Sequence, residues 1–568
     1  MAAVVVASSA LSAGGRGEDA LGISPPGKPA PVFTSFSQAL AGQGFRRPVC
    51  ASIPEELLPV EPDTDRAQRM LLTAFAELTE ELDRLRPGWR NLRLGMIIGT
   101  SSGALAALIR AFELFDSHQA IPRDLARRAA PFAPMHALGR ALGVQADPEL
   151  QILAACASSA LAIGMAQRAI DHAQVDLVIA GGYDAYHPHV AAGFEALGAS
   201  SARLCQPFRV ARDGMVVGEG AALLALEADS EANAGIPRIV GFGASSDAYH
   251  ITAPQPEGLG LASAISRAFV SAAVDPAAIR IVSAHGTGTT QNDRAEISAL
   301  NRAGLGAADL VIVGSKGSLG HTLGAAGALE TLALVKAMEV GLLPATAGEG
   351  PVEGELPGRL LECTEVGVAP HALKLSAAFG GTNVALVLGM DGKPAPVQQA
   401  PVYCQCSGPS VQSLNLQLAR QVCKNISRIE RLDGLAALVL GAIVGLLGER
   451  REVLDPNTAI VLASASGSIE SNHRFDAKRR RLGPTLVDPR RFPATTPNVA
   501  ASEAGIALGL TGPCFAVGGG LAAAAEGLLA AHDWVMQKNG PAAIVVAADE
   551  IGPVTAALWS AAGWPFRC

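Results

Sequence analysis

Short apolar runs that end in glycine-rich corners recur along this chain of 568 residues. They include "LGMIIGT" at residues 94–100, "VDLVIAGG" at 175–182 and "LVIVGSKG" at 310–317, with apolar helical patterns between several of them. Alternation of buried strands with helices predicts largely parallel sheets covered by helices. The chain holds 62 glycines and only 4% aromatic residues, which suits an α/β fold whose layers approach closely through small side chains.

The composition excludes several classes of protein. A net charge of −8 gives no electrostatic reason to expect nucleic acid or an anionic membrane surface as a partner. The apolar stretch at 435–449 is shorter than the roughly 18–20 residues that span a bilayer, so it predicts a buried helix. The opening "MAAVVVASSALSAGG" lacks the basic region of a signal peptide and favours a first strand followed by a loop.

The nine cysteines carry no sign of a metal site or a disulfide framework. None stands in a C-x-x-C spacing, and no histidine cluster accompanies them. A reducing cytoplasm therefore fits this chain best, and we expect neither a metal nor an organic cofactor.

The chain also contains an internal repeat. The stretch "LGMIIGTSSGALAALIRAFE" is matched in order and texture by "AIVLASASGSIESNHRFD", and "LQILAACASSALAIG" is echoed by "PCFAVGGGLAAAAEG". Such similarity implies duplication. Between the two copies, residues 391–410 concentrate Pro, Gly, Ser and Gln, a composition typical of a linker.

We therefore predict three segments. The first is a domain over 1–390, with halves at about 1–229 and 230–390, and the second is the linker at 391–410. The third, residues 411–568, is a half-length copy without a counterpart of 230–390, and it is called the half-copy below.

Five residues at the ends of predicted strands could carry chemistry: Cys156, His285, Lys316, His321 and Phe379. Each alone has a plainer explanation, since a lone cysteine is often a small core residue and a lone histidine is often structural. Together they suggest acyl transfer. A thiolate, favoured by a helix N-terminus, can store an acyl group as a thioester. Two imidazoles can stabilise an enolate oxygen without a metal.

Taken in order, "ACASSA", "SAHGTGT", "GSKGSLGHTLGAAGALE" and "AFGGTN" resemble the β-ketoacyl-acyl-carrier-protein synthases of the two-histidine type. The stretch "DGMVVGEGAALLALE" is similar to another part of that family, and the resemblance covers about residues 2–390. It implies a thiolase-like, five-layered αβαβα fold, to which the half-copy adds a half-length thiolase-like unit. The implied activity is an acyltransferase reaction, decarboxylative Claisen condensation of malonyl-carrier protein with an acyl chain. Such reactions serve fatty-acid or polyketide biosynthesis, the aryl-polyene type included.

The resemblance also implies roles. Cys156 would accept the acyl chain from the phosphopantetheine of an acyl carrier protein. His285 and His321 would bind the malonyl thioester carbonyl and promote loss of CO2, and Lys316 would hydrogen-bond in the same network.

Three further residues have implied roles. Phe379 would gate the pocket, and its backbone N–H, with that of Cys156, would form an oxyanion hole. Asp293 and Glu296 match an acidic pair behind the first histidine loop. The partners implied are an acyl carrier protein and a homodimer or pseudo-dimer formed through ketosynthase-like domains.

Alternatives stay open at this point. The stretch "LSAAFGGTN" lacks an asparagine and an aromatic residue that the family usually has, which bears on loop dynamics. Thiolase chemistry would require a second cysteine in a C-x-G loop, and an initiating synthase would have asparagine at His321. In a third hypothesis the whole chain is a non-catalytic chain-length or scaffold partner, which the intact set of site residues disfavours.

The half-copy has no histidine loops, and either Gly518 or Leu521 stands opposite Cys156, depending on the alignment. We therefore predict that it is catalytically inactive. It resembles short ketosynthase-like domains of polyketide and aryl-polyene pathways, so it could influence chain length or act as a dimer partner, or it could be a decayed duplication kept for stability. Its basic run at 478–491 could attract an acidic carrier protein or form a solvated face.

Overall fold

The computed structural model describes residues 2–61, 63–230, 233, 235–391, 402, 413–448, 454–536 and 540–564. Its strands are β1 Ala3–Ser12, β2 Gly15–Arg16, β3 Ser35–Phe36, β4 Val49–Ala51, β5 Leu94–Gly99, β6 Glu149–Leu153, β7 Leu177–Asp184, β8 Val217–Gly218, β9 Gly220–Ala228, β10 Arg238–Ser246, β11 Ile279–Ser283, β12 Val311–Val313, β13 Leu342–Leu343, β14 Glu365–Val366, β15 His371–Ala377, β16 Thr382–Gly389, β17 Ala459–Ala463, β18 Cys514–Val517 and β19 Ala543–Ala547.

The helices are α1 Gln38–Gly42, α2 Arg66–Leu85, α3 Leu105–Asp116, α4 Arg123–Arg128, α5 Ala133–Leu142, α6 Ser158–Asp171, α7 Pro188–Ala196, α8 Leu259–Ala272, α9 Thr290–Arg302, α10 Lys316–Leu319, α11 Ala326–Val340, α12 Leu416–Val422, α13 Ile426–Ile429, α14 Gly434–Leu447, α15 Ile469–Leu482, α16 Asn498–Leu508, α17 Ala523–Met536 and α18 Pro553–Ala562.

One large sheet runs through the described residues in the order β12-β11-β15-β16-β10-β1-β9-β7-β5-β6-β18-β17-β19. It bends into two leaves at β1, which pairs with β9 along its whole length but with β10 only at Ala3 and Val4. The first leaf contains β1, β9, β7, β5 and β6, and the second contains β10, β16, β15, β11 and β12.

Helices cover and separate the two leaves. Helices α6 and α11 lie between them, while α2 packs on the outer face of the first leaf and α8 on that of the second. The result is the five-layered αβαβα arrangement of the thiolase-like fold, and the predicted α/β class is confirmed. The sequence of helix α2 explains both its start and its packing. The Asp65 carboxylate caps the helix by accepting a hydrogen bond from the Ala67 N–H. Spacing by four residues then forms one buried stripe, made of Met70, Ala74, Leu78 and Leu82.

The expectation of largely parallel sheets is wrong. Strands β5, β6 and β7 are parallel, but β1 lies antiparallel to β9 and β10, and β15–β16 is a hairpin. A strand buried on both faces has the same continuous apolar pattern in either direction, so this pattern does not reveal strand direction. Lys316 also lies at the start of the short helix α10 rather than in a loop.

The half-copy extends the first leaf. Its strand β18 pairs antiparallel with β6 of the first domain, with Ala516 opposite Leu153 and Val517 opposite Ile152. Strands β18, β17 and β19 then continue in parallel, as β6, β5 and β7 do on the other side. The two sets of strands are therefore related by a local twofold axis between β6 and β18.

Local details of the two sides also correspond. Thr100 and Ser464 each accept a backbone N–H from the glycine three residues later. Each hydroxyl also donates to an aspartate, Asp184 at the end of β7 or Asp549 just after β19. Such a correspondence supports the predicted duplication. The domain boundaries stay predictions, and the linker predicted at 391–410 lies outside the described residues except at Asp391 and Val402.

The same correspondence decides which residue stands opposite Cys156. Ala155 begins a 3₁₀ turn with φ +47°, and Gly520 begins the matching turn with φ +68°. Leu521 therefore occupies the position of Cys156, and Gly518 does not. No helix in the described part of the chain is both long and apolar enough to cross a bilayer.

Candidate active site

Cys156 lies at the corner where β6 ends and α6 begins, 7% exposed. The corner is tight because the preceding residue, Ala155, adopts a left-handed φ of +47°, which is unfavourable for a residue with a Cβ atom. The Ser158 hydroxyl holds this geometry, since it accepts from the Ala154 N–H at 2.9 Å and lies 2.7 Å from the Ala155 carbonyl. Helix α6 also packs directly on β5, where a Cβ at Gly99 would lie 2.3 Å from the Ser158 carbonyl carbon.

Two opposing effects act on the Cys156 thiol: the N-terminus of α6 favours the thiolate, and burial favours the protonated thiol. Burial raises the pKa of the Cys156 thiol to about 12, and the positive charge of Lys316 offsets only part of this effect. Removal of the thiol from water disfavours the charged thiolate. The thiol needs a base to become a nucleophile at neutral pH.

His285 and His321 face each other edge to face, with 5.5 Å between ring centroids. Both rings are buried, and burial together with the charge of Lys316 holds the pKa of each imidazole well below its ordinary value. Both are therefore neutral at pH 7. The Leu323 N–H donates to Nδ1 of His321 at 3.3 Å, which leaves the proton of that ring on Nε2, available for donation.

Behind the histidines lies a buried cluster of three charges. Lys316 Nζ donates to the His285 carbonyl at 2.6 Å and to Glu330 Oε1 at 2.7 Å. The other carboxylate oxygen, Oε2, forms a 2.7 Å ion pair with Lys374 Nζ, from β15. Lys374 was not predicted as a site residue. The signal in the sequence is one lysine inside the apolar strand "HALKLSA".

The predicted acidic pair holds the loop that carries His285. Glu296 accepts from the backbone N–H groups of His285 and Gly286 at 2.5 and 2.9 Å. Asp293 accepts from Gly288, in the same loop, and from the Phe208 N–H at 2.8 Å. Burial raises the pKa of Asp293 to about 6 and that of Glu296 to about 7.

A further buried carboxylate, Asp184, connects two corners of the site and was not predicted from the sequence. Asp184 accepts from Thr100 Oγ1 and from the backbone N–H groups of Ser101, Ser102 and Gly324, at 2.6 to 3.1 Å. Gly324 follows the His321 loop, and residues 100–102 follow β5 beside Cys156. Asp184 thus fixes the distance between the cysteine side and the histidine side of the site.

Two cavities meet at Cys156, and Phe379 and Phe194 line both of them. The outer cavity, of about 360 Å³, also contains His285 and His321. The inner cavity, of about 40 Å³, continues between the first domain and the half-copy. Phe379 therefore lies at the boundary between the two.

The site residues predicted from the sequence thus form two groups, one around the outer cavity and one behind its walls. Cys156, His285, His321 and Phe379 surround the outer cavity, while Lys316, Asp293 and Glu296 hold its walls from behind. Within the described residues, the Phe379 N–H has no acceptor. No group of three or more His, Cys, Asp or Glu side chains in that part of the chain could hold a metal ion.

The family models and the curated proteins that match this chain belong to the same family. Residues 51–232 match the family described as beta-ketoacyl synthase, N-terminal domain, and residues 236–349 match beta-ketoacyl synthase, C-terminal domain. The 3-oxoacyl-[acyl-carrier-protein] synthase 2 of Coxiella burnetii is 34% identical over 392 residues, which cover 63% of this chain and 94% of that protein.

Solved structures are similar as well. The ishigamide ketosynthase/chain length factor matches with a TM-score of 0.62 and 26% identity, over 69% of this chain and 99% of that one. The PfaC keto synthase-chain length factor matches 96% of this chain and 74% of its own, with a TM-score of 0.73. At 16% identity, the second likeness concerns the fold alone.

Proposed function

Since this chain belongs to the beta-ketoacyl synthase family of condensing acyltransferases, we propose that it elongates an acyl chain held on Cys156 by decarboxylative Claisen condensation with a malonyl group. Both substrates would arrive on the phosphopantetheine of an acyl carrier protein, and no further cofactor is needed. The observation that carries the proposal is the position of Cys156 beside two neutral imidazoles at the junction of two cavities.

The first step is thioester exchange. A neutral imidazole of the pair accepts the Cys156 proton, and the thiolate attacks the carbonyl carbon of the incoming acyl thioester. The carrier thiolate leaves and takes up a proton, while the acyl chain stays on Cys156. A base is needed because burial holds the pKa of the thiol at about 12.

The second step is loss of CO2 from the malonyl group. The electron pair of the breaking C–C bond is delocalised into the adjacent thioester carbonyl, and an enolate forms. The Nε2 proton of His321, set by the Leu323 N–H at Nδ1, donates to the enolate oxygen. A neutral imidazole suits this role because its N–H is a very weak acid, so it stabilises the enolate by a hydrogen bond without transferring its proton to it.

The third step forms the new bond. The enolate carbon attacks the acyl carbonyl on Cys156, and the negative charge on oxygen is stabilised by the N–H groups of Cys156 and Phe379. The C–S bond then breaks, and Cys156 is released and reprotonated. The product is a β-ketoacyl chain on the carrier protein, for fatty-acid or polyketide synthesis.

The half-copy would act as an inactive partner that shapes the acyl pocket. Ile469, Phe492 and Thr495 of the half-copy line the inner cavity, opposite Leu105 and Leu108 of the first domain. Leu521 stands where a nucleophile would be required. An acyl chain that enters past Cys156 would therefore end against half-copy side chains.

The basic run of the half-copy is partly engaged within the molecule. Arg479 and Arg480 pair with Asp476, and Arg480 also pairs with Asp116 of α3. Arg480 thus joins the half-copy to the first domain, while Arg479 is paired within the half-copy, which weakens the case for this run as a carrier-protein surface.

Mass spectrometry after incubation with acyl-carrier protein tests the proposal. We expect the acyl group on Cys156, and β-ketoacyl product only after malonyl-carrier protein is added. Cys156→Ala should abolish both, whereas Cys50→Ala, a buried cysteine of β4, should change neither. Product at the wild-type rate from Cys156→Ala would overturn the mechanism. An unacylated Cys156 in folded wild-type protein would favour a non-catalytic chain-length partner.

A further inference from the structure

The segment that carries Phe379 is held by the half-copy. The gate loop, defined here as residues 378–382, follows β15 and ends at Thr382, the first residue of β16. Asn498, the first residue of α16, donates from Nδ2 to the Phe379 carbonyl at 2.8 Å. At the end of the loop, Thr382 Oγ1 donates to the Cys514 carbonyl of β18 at 2.6 Å. Both hydrogen bonds join the first domain to the half-copy.

The loop backbone is shaped to receive α16. Gly380 and Gly381 adopt φ values of +89° and +81°, and the Gly380 N–H donates to the Ile251 carbonyl at 2.8 Å. A Cβ atom at Gly380 would lie 2.2 Å from Ser502 Oγ of α16. Only glycine therefore permits both the left-handed turn and the close approach of this helix.

Packing alone does not account for an asparagine at this position. Asn498 is completely buried, and its Oδ1 atom has no hydrogen-bond partner among the described residues. A buried polar atom without a partner is destabilising, so an apolar side chain would serve a simple interface better. The one bond that Asn498 makes from its amide, to the Phe379 carbonyl, is what an apolar residue would lose.

The twofold relation between the two copies identifies the residue that corresponds to Asn498 in the first domain. Helix α5 of the first domain begins at Ala133, as α16 begins at Asn498, and Pro148 and Pro513 precede the matching strands by the same spacing. Ala133 is thus the counterpart of Asn498. Among the described residues there is one gate loop, and it packs against α16, which begins with Asn498. Helix α5, which begins with Ala133, has no such loop to contact in that part of the chain.

Fixing the Phe379 carbonyl restricts rotation about the Phe379 backbone. The ring is then held between Phe194, at 5.5 Å, and Phe492 of the half-copy, at 6.1 Å between centroids. This is the position at which the ring separates the outer cavity from the inner one.

We infer that Asn498 is a positioning residue through which the half-copy holds the Phe379 ring beside Cys156, between the outer and the inner cavity. The inference rests on the proposed function for its catalytic meaning, but the position of the gate can be measured without turnover. When the hydrogen bond is absent, the loop samples open positions more often, and the Phe379 N–H is less often aligned as an oxyanion donor.

The test uses the full-length protein and two readouts. The first is the rate at which a bulky maleimide modifies Cys156, located by peptide mass mapping, and the second is kcat for condensation. Asn498→Leu keeps the branched shape of the side chain but removes the donor. We expect modification about threefold to tenfold faster and kcat lower by a similar factor, since a single neutral hydrogen bond has that weight. Thr382→Val, at the other bond, should change both in the same direction.

Two variants serve as matched controls. Ala133→Asn places asparagine at the twofold-related position, and Ser471→Ala removes a buried hydroxyl of the half-copy that donates to the Asp433 carboxylate of the same half-copy. Both should leave the two readouts within twofold of the wild type. If Asn498→Leu and Thr382→Val are folded but modify Cys156 at the wild-type rate, the inference is wrong. If wild-type protein makes no product while Asn498→Leu still accelerates modification, only the proposed function fails.

Discussion

Lys374 and Glu330 form a fully buried ion pair with 2.7 Å between Nζ and Oε2. The same carboxylate pairs with Lys316 through Oε1, so two ammonium groups share one negative charge behind the histidines. In a low-dielectric interior this surplus positive charge opposes protonation of nearby imidazoles.

Lys374→Met should therefore shift the pH dependence of condensation. Lys374 contributes to the lowered pKa of both His285 and His321, so its removal raises those pKa values. Activity requires neutral rings, and the acidic limb of the kcat profile should move to higher pH, while kcat at pH 8 changes little. Lys336→Met, on the same helix as Glu330 but paired with Glu18, is the control. An acidic limb that does not move would contradict this account.

Glu330→Gln should be far more disruptive than either lysine substitution. It leaves two buried ammonium groups without their counter-charge, and breaking a buried pair in this way destabilises by about 3–5 kcal/mol. Urea denaturation measures the effect. The double variant Glu330→Gln with Lys374→Met removes one of the stranded charges and should recover part of the stability. No recovery would show that the cluster is not electrostatically coupled.

Ile469 offers a test of the acyl pocket. It lines the inner cavity from the half-copy. Ile469→Trp should fill the cavity and shorten the products, and Ile469→Ala should lengthen them, as read from the mass of the acyl chains released. Ile426→Ala, an exposed isoleucine of the half-copy, should leave the distribution unchanged. An identical distribution in all three variants would remove the half-copy from chain-length control.

Asp184 and Asp549 form a matched pair on the two sides of the twofold axis. Asp184→Asn introduces donors that face the Thr100, Ser101 and Gly324 donors, so we expect a loss of about 2–4 kcal/mol and a lower rate of Cys156 acylation. Asp549→Asn breaks the similar bonds from Ser464 and Ser466 and should lower stability but spare acylation. Stability comes from denaturation, and acylation from intact-protein mass. Equal losses of acylation in the two variants would show that Asp184 has no special link to the site.

The sequence was sufficient for residues whose chemistry and corner position are local. Cys156 and His285 each follow an apolar strand and precede small residues or glycines, so the strand-end pattern places them together without knowledge of the packing. Lys374 could not be recognised in this way. Its meaning depends on Glu330, which reaches it from a helix in the middle layer, and an isolated lysine in a strand gives no sign of that partner.

The contact between Asn498 and Phe379 was beyond the sequence for a different reason. It joins residues of two copies, and it depends on which strand edges meet. The alternation of strands and helices predicted the layers, but it left open the antiparallel pairing that sets one copy against the other. Gly380 was visible in "AFGGTN", yet the helix that needs this glycine was not.

The pairing of β6 with β18 has a consequence for how the protein behaves on dilution. In separate subunits such an edge-to-edge junction forms in a bimolecular step and is lost at low concentration. Here both strands belong to one polypeptide, so the junction forms intramolecularly, at an effective concentration that does not fall when the protein is diluted. Association of these two strand edges therefore needs no second polypeptide.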